Sequence, residues 1–130
     1  MRRIRNRRGS VAVEFGLIAP IFFLLVFAVI DFGRAFYTIH DLAAAAREGA
    51  RYGAALDDPV TRAGEIRTVV KQFAVTFGGA PVSDAQIDVE FDGQSVTVRI
   101  REYNFDFIAL PFGPVDITRQ ATLRWERAAT

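Results

Sequence analysis

Cysteine is absent from the chain, which excludes disulfides and thiolate metal sites, so any folded part must hold together by packing alone. Histidine is nearly absent. His40 is the single one, and its neighbour Asp41 cannot face it on a helix, where side chains three or four positions apart meet. That favours a surface or interface histidine over a metal ligand or general base. The only serines are Ser10, Ser83 and Ser95, and neither a nucleophile elbow, a glycine-rich phosphate loop nor metal-ligand spacing surrounds them. Asp84, Asp88, Glu90 and Asp92 lie close together, yet the last three alternate as the solvent face of a strand does and lack the spacing of a calcium loop. The expectation is a protein without catalytic residues, metal or cofactor.

Charge is missing where it matters most. From Phe15 to Ile30 there is no ionisable residue, and counting back to Val11 makes twenty residues with Glu14 as the only one. At about 1.5 Å of rise per residue, twenty helical residues cover the roughly 30 Å hydrocarbon core of a bilayer. Five arginines, at positions 2, 3, 5, 7 and 8, precede this segment, whereas Asp31 and Arg34 follow it. The positive-inside rule therefore keeps the N-terminus cytoplasmic and sends residues beyond about 31 across the membrane. Ala28-Val29-Ile30 before Asp31-Phe32 makes a poor cleavage site for an ordinary secretory signal. A buried soluble helix fits badly with the flanking arginines and with so few polar positions.

Glu14 is the anomaly of the segment. A carboxylate at the centre of a span costs about 2.5–3.5 kcal/mol, less near an end, so it has a partner or a job. Alternatively it reaches the interface at the helix N-terminus, where the dipole favours an anion.

Beyond the span the helical pattern continues. Phe22, Leu25, Val29, Phe32, Phe36, Ile39, Ala43, Ala46 and Ala50 recur with steps of three and four, a 3.5-residue seam. One helix from about Ser10 to Ala55, roughly 70 Å long, carries it. Partners can approach closely along Ala43, Ala46 and Ala50, or that outer stretch packs only on the chain's own head. Pro20, inside the span, removes one backbone hydrogen bond. Asp58 and Pro59 read as N-cap and first residue of a second helix reaching Phe77, with Ile66, Val69, Val70, Phe73 and Phe77 on one face. Gly78-Gly79-Ala80-Pro81 ends it.

The period then changes to two. Ile87, Val89 and Phe91, a turn at Asp92-Gly93-Gln94, and Val96, Val98 and Ile100 predict a β-hairpin. Tyr103, Phe105 and Phe107 continue on the opposite parity, which predicts a bulge near Arg101. Ile117 to Trp125 reads as a third strand after a loop at Pro111-Phe112-Gly113-Pro114. Three strands cannot bury an apolar face alone, so both helices should pack on them. The expected fold is α+β: a basic leader over residues 1–9, a long helix over 10–56 with its span at about 11–30, and an extracytoplasmic head over 57–130 with a small antiparallel sheet. Arg47 and Arg51, near the head end of the long helix, are either solvated charges or bridges to acids on the head or a neighbouring subunit.

Gly9 with Glu14 as the fifth residue after it and Phe15 beside that resembles the prepilin-peptidase signal of type IV pilin-like proteins. The resemblance runs on through Val13-Glu14-Phe15-Gly16-Leu17-Ile18-Ala19-Pro20, Asp31-Phe32-Gly33-Arg34-Ala35-Phe36 and Ala44-Ala45-Ala46-Arg47-Glu48-Gly49-Ala50-Arg51. Together these resemble the TadE-like minor pilins, or pseudopilins, of tight-adherence (Tad, Flp-type) pili. The resemblance implies a prepilin peptidase cutting between Gly9 and Ser10, with Glu14 and Phe15 serving recognition and subunit registration. It also implies other pilin subunits and an assembly platform of the bacterial inner membrane as partners. Major pilins of these systems usually carry tyrosine after the glutamate and lack a sizeable head, so Phe15 and the long C-terminal part point to a minor subunit. The alternative is an uncleaved signal-anchored protein whose head binds a ligand or envelope partner.

Formal charge bears on the same point. The precursor has 16 basic and 15 acidic residues, and the first nine residues hold five arginines and no acid, so a chain starting at Ser10 would have 11 against 15, a net −4. Nucleic acid is therefore not an expected partner, because the arginine cluster serves topology.

Overall fold

The structure, a computed structural model, describes residues 7–75, 79–111 and 113–125. Residues 1–6 of the basic leader, Phe77 and Gly78 at the expected end of the second helix, and Phe112 of the last loop lie outside the described residues. The element order is α1 (Arg7–Ala54), α2 (Ala63–Phe73), a single 3-10 turn (Asp84–Gln86), β1 (Ile87–Phe91), β2 (Ser95–Phe105) and β3 (Val115–Arg124). The strands form one antiparallel sheet in the order β1-β2-β3. This is the α+β architecture expected from the two periodicities.

α1 runs unbroken for 48 residues through Pro20, about 72 Å at 1.5 Å per residue. The two halves of the helix differ in what covers them. Between Val11 and Ile30 no side chain is buried, whereas the outer half carries Leu42, Ala45, Ala46 and Ala50 at zero exposure. There α1 meets α2 and the sheet, and the core lies among these elements: Ile66 and Val70 from α2, Val96, Val98 and Ile100 from β2, and Ile117 from β3.

The outer part of the predicted seam faces the chain's own head. Ala46 and Ala50 are fully buried within it, Ala43 and Ile39 half-buried, and Phe32 and Phe36 exposed. The buried stripe of α1 is instead Asp31, Thr38, Leu42, Ala45, Gly49 and Gly53, flanked by Ala46 and Ala50. It lies one position round from the predicted seam because small residues, rather than bulky ones, set the close approach. A Cβ on Gly53 would stand 2.8 Å from Val96 Cγ1 and 2.9 Å from Ile66 Cδ1, and one on Gly49 would enter Val70 Cγ2.

α2 starts later than Pro59. Asp58 accepts the backbone N–H of Val60 at 3.1 Å and of Thr61 at 3.2 Å, which closes a separate turn, and the helix proper begins only at Ala63. It ends at Phe73, with the Ala74 N–H donating to the Val70 carbonyl. Ile66 and Val70 supply its contact with α1, so Phe73, in the last turn, is 51% exposed rather than part of the buried face.

The hairpin turn forms around an aspartate. Asp92 Oδ1 accepts the N–H groups of Gln94 at 2.8 Å and Ser95 at 2.6 Å while Gly93 takes φ +86°, a conformation that glycine adopts without steric cost. In β2 the register shifts between Ile100, opposite Arg119, and Tyr103, opposite Ile117. Arg101 and Glu102 thus oppose Thr118 alone, with Glu102 at φ 50°. This bulge flips the parity, so Val96, Val98, Ile100, Tyr103 and Phe105 all face the helices.

The turn carboxylates make the head acid-sensitive. Asp92 is held below the usual carboxylate range chiefly by the N–H groups of Gln94 and Ser95, and Asp58 by the Thr61 hydroxyl and then the Thr61 N–H. Between folded and unfolded pKa the unfolded chain binds more protons, so stability rises with pH in that window. The contribution is complete above the ordinary value of 3.8 and is lost as pH falls below it through the lowered values. Melting temperature should therefore be flat in this respect from pH 7 to 5 and fall below pH 4. Asp92→Asn should flatten part of that fall.

Candidate functional site: the α1 segment and its junction with the head

The N-terminal end of α1 is bare. Gly9, Ser10, Glu14 and Phe15 are all exposed, Phe15 at 69%. Ser10 Oγ donates to Glu14 Oε1 at 3.3 Å across one helical turn, which puts residue 10 and the acid on the same face. Phe22, Leu25 and Val29 follow in the same condition, each more than half exposed. A helix apolar all round is stable only when something apolar surrounds it. None of the described residues does, which argues against a soluble core helix. Among the described residues one helix is long and apolar enough to cross a membrane, with its span window unburied.

Where the apolar stretch ends, the head is fastened to the helix. Asp31, 1% exposed, accepts the backbone N–H of Ile108 at Oδ1 (3.1 Å) and those of Ala109 (2.9 Å) and Leu110 (3.2 Å) at Oδ2. Arg34 Nη1 adds an ion pair at 3.2 Å, and its guanidinium lies 5.2 Å from the centre of the Phe105 ring. Phe32 and Phe107 meet edge to face with centroids 6.4 Å apart. A buried carboxylate is tolerable here because three backbone N–H groups and a guanidinium are aimed at it. An open cleft of about 300 Å³ lies beside this junction, lined by Arg34, Tyr103, Phe105 and Asp106 among others.

The far end of the head is fastened differently. Trp125 Nε1 donates to the Leu56 carbonyl at 2.8 Å, just past the end of α1, and its ring packs edge to face on Phe91 at 5.2 Å. Tyr52 donates to Glu65 at 2.9 Å, and Arg62 pairs with the same carboxylate. β2 thus descends α1 from Val96 beside Gly53 to Phe105 beside Arg34.

The remaining charged candidates have local partners. Arg51 pairs with Glu48 on its own helix (Nε to Oε2 3.0 Å), while Arg47 and His40 are exposed. Asp84 pairs with Lys71, Asp88 with Arg101 and Glu90 with Arg99. Among the described residues no group of three or more acidic, histidine or cysteine side chains converges on a point.

The roles of Asp31, of its partner Arg34 and of the loop amides that Asp31 holds were not anticipated from the sequence, although an acid and an arginine three apart at the edge of a charge-free run is a signal available without a structure. A single long helix, bare where it is most apolar and fastened by its outer half to a small α+β head, fits a single-pass membrane protein. Residues 9–51, about a third of the chain, match the family model described as TadE-like protein. No curated protein and no solved structure matches the chain.

Proposed function

We propose that the protein is a minor pilin or pseudopilin of a tight-adherence pilus, with a structural and assembly role rather than an enzymatic one. The observation that carries this reading is that the TadE-like match begins at Gly9 and follows α1, whose apolar half is covered by none of the described residues. A prepilin peptidase cuts between Gly9 and Ser10, removes five arginines and leaves a new amino group at Ser10. Glu14 lies one turn away, so it neutralises that ammonium or the one on a neighbouring subunit; pairing makes a charge in the membrane tolerable. The head lies outside the inner membrane, the N-terminus faces the cytoplasm, and other pilin subunits and the inner-membrane assembly platform receive the helix through Phe22, Leu25, Val29 and their neighbours.

Coexpression with a prepilin peptidase tests the processing step. Wild type should shorten by the leader, whereas Gly9→Phe should stay at full length in the same membranes. Equal shortening of both would place the cut elsewhere and refute the assignment of Gly9. Glu14→Ala should be processed yet fail to coassemble with other subunits, read by co-purification from sheared pili or detergent extracts.

A further inference from the structure

The rim of the head that faces the span carries an uncharged apolar loop, flanked by the exposed Asp106 and Asp116. Beyond β2 and the exposed Asp106 the chain reads Phe107-Ile108-Ala109-Leu110-Pro111, five residues without a charge. Ile108 is 74% exposed, and Val115, opposite Phe105 at the start of β3, is 47% exposed. Gly79, Ala80 and Pro81 reach the same end, where the Tyr103 hydroxyl donates to the Ala80 carbonyl at 3.0 Å. The opposite rim carries Asp57, Asp58, Arg62, Asp92, Gln94 and Arg124, all exposed. The three amides held by Asp31 fix the level of the apolar rim at the first residue after the span.

We infer that the loop 107–111 is a second membrane contact, with Ile108 dipping into the interfacial layer of the leaflet from which α1 emerges. Two physical arguments favour lipid over a protein occupant. The loop is continuous, through Asp31, with a helix whose preceding twenty residues are unburied and, Glu14 apart, without charge, so the nearest apolar medium is the one around Ile30. Irregular backbone near hydrocarbon also needs its N–H groups satisfied internally. Asp31 does this for three consecutive residues, and unlike the exposed turn carboxylates Asp58 and Asp92 it is itself buried. Such a contact sets the tilt of the head on the membrane before assembly, and leaving the bilayer means withdrawing it. The inference rests on the span reading alone, not on processing or pilus assembly.

The absence of cysteine makes the test clean. Single variants Ile108→Cys, Leu24→Cys and Gln94→Cys in the full chain are labelled with an environment-sensitive fluorophore and reconstituted in phosphatidylethanolamine/phosphatidylglycerol vesicles. Quenching is read with spin-labelled lipid and with aqueous iodide. The label at 108 should be quenched by the lipid probe and be at least about fivefold less accessible to iodide than the label at 94. Equal iodide access at 108 and 94 would overturn the proposal. Shielding from iodide without lipid quenching, growing with protein-to-lipid ratio, would overturn it in favour of contact between copies. The label at 24 separates the premises: if it is not quenched by lipid, the span reading itself fails. Should the variant at 108 unfold, Val115→Cys, on the same rim, gives the same reading.

Discussion

Gly49→Ala is expected to destabilise the head even though alanine is the better helix former. An alanine in a helix interior gains about 0.8–1.0 kcal/mol over glycine, but overpacking a filled site costs about 1–3 kcal/mol. At Gly49 the added carbon enters Val70 Cγ2, with Val98 Cγ1 at 3.5 Å and Ile66 Cγ2 at 3.7 Å behind it. The net loss should be up to about 2 kcal/mol, at most several degrees of melting temperature for a domain of this size. Gly49→Leu should leave the head unfolded while the membrane helix persists. Gly64→Ala supplies the contrast: it lies in α2 with nothing within 4 Å of the added carbon, so it should gain up to about 1 kcal/mol. Circular dichroism melts in detergent would decide, and equal gains at both positions would refute the close approach of α1 to α2.

Asp31→Ala should release the loop from the helix. Removal of the carboxylate leaves the amides of Ile108, Ala109 and Leu110 and the Arg34 guanidinium without their shared acceptor. Orphaned donors are costly out of water, so the segment should open locally rather than stay in place. Amide exchange at residues 108–110 is expected to speed up on the order of tenfold or more, while the distal contact at Trp125 and Leu56 keeps its protection. Asp31→Asn, which retains one carbonyl acceptor, should fall between. Unchanged exchange in the alanine variant would mean that Asp31 does not hold the loop.

These two sites also show what a linear reading can reach. The strands, their turn and the parity change in β2 follow from period-two alternation, from Asp92-Gly93 and from the count between Ile100 and Tyr103, all local properties. The extent of α1 likewise follows from a charge-free run continued by regular spacing. The side of α1 that meets the head is not local: it depends on Gly49 and Gly53 letting Val70, Ile66 and Val96 approach, and a seam drawn through bulky residues lands one position away. The late start of α2 has the same character, because the Asp58 side chain satisfies Val60 and Thr61 before a helix is needed. Asp31 was the least legible, since its partners lie 77 to 79 residues further along the chain. By contrast, Gly9, Ser10 and Glu14 form a short linear pattern, complete before any folding occurs.

The central claim is that this short pattern is an instruction to cut and assemble. N-terminal sequencing of the protein extracted from membranes that contain a prepilin peptidase tests it most directly. A mature chain beginning at Ser10, with the five arginines gone, is the predicted result. An intact chain beginning at Met1 and held in the membrane by α1 would contradict it.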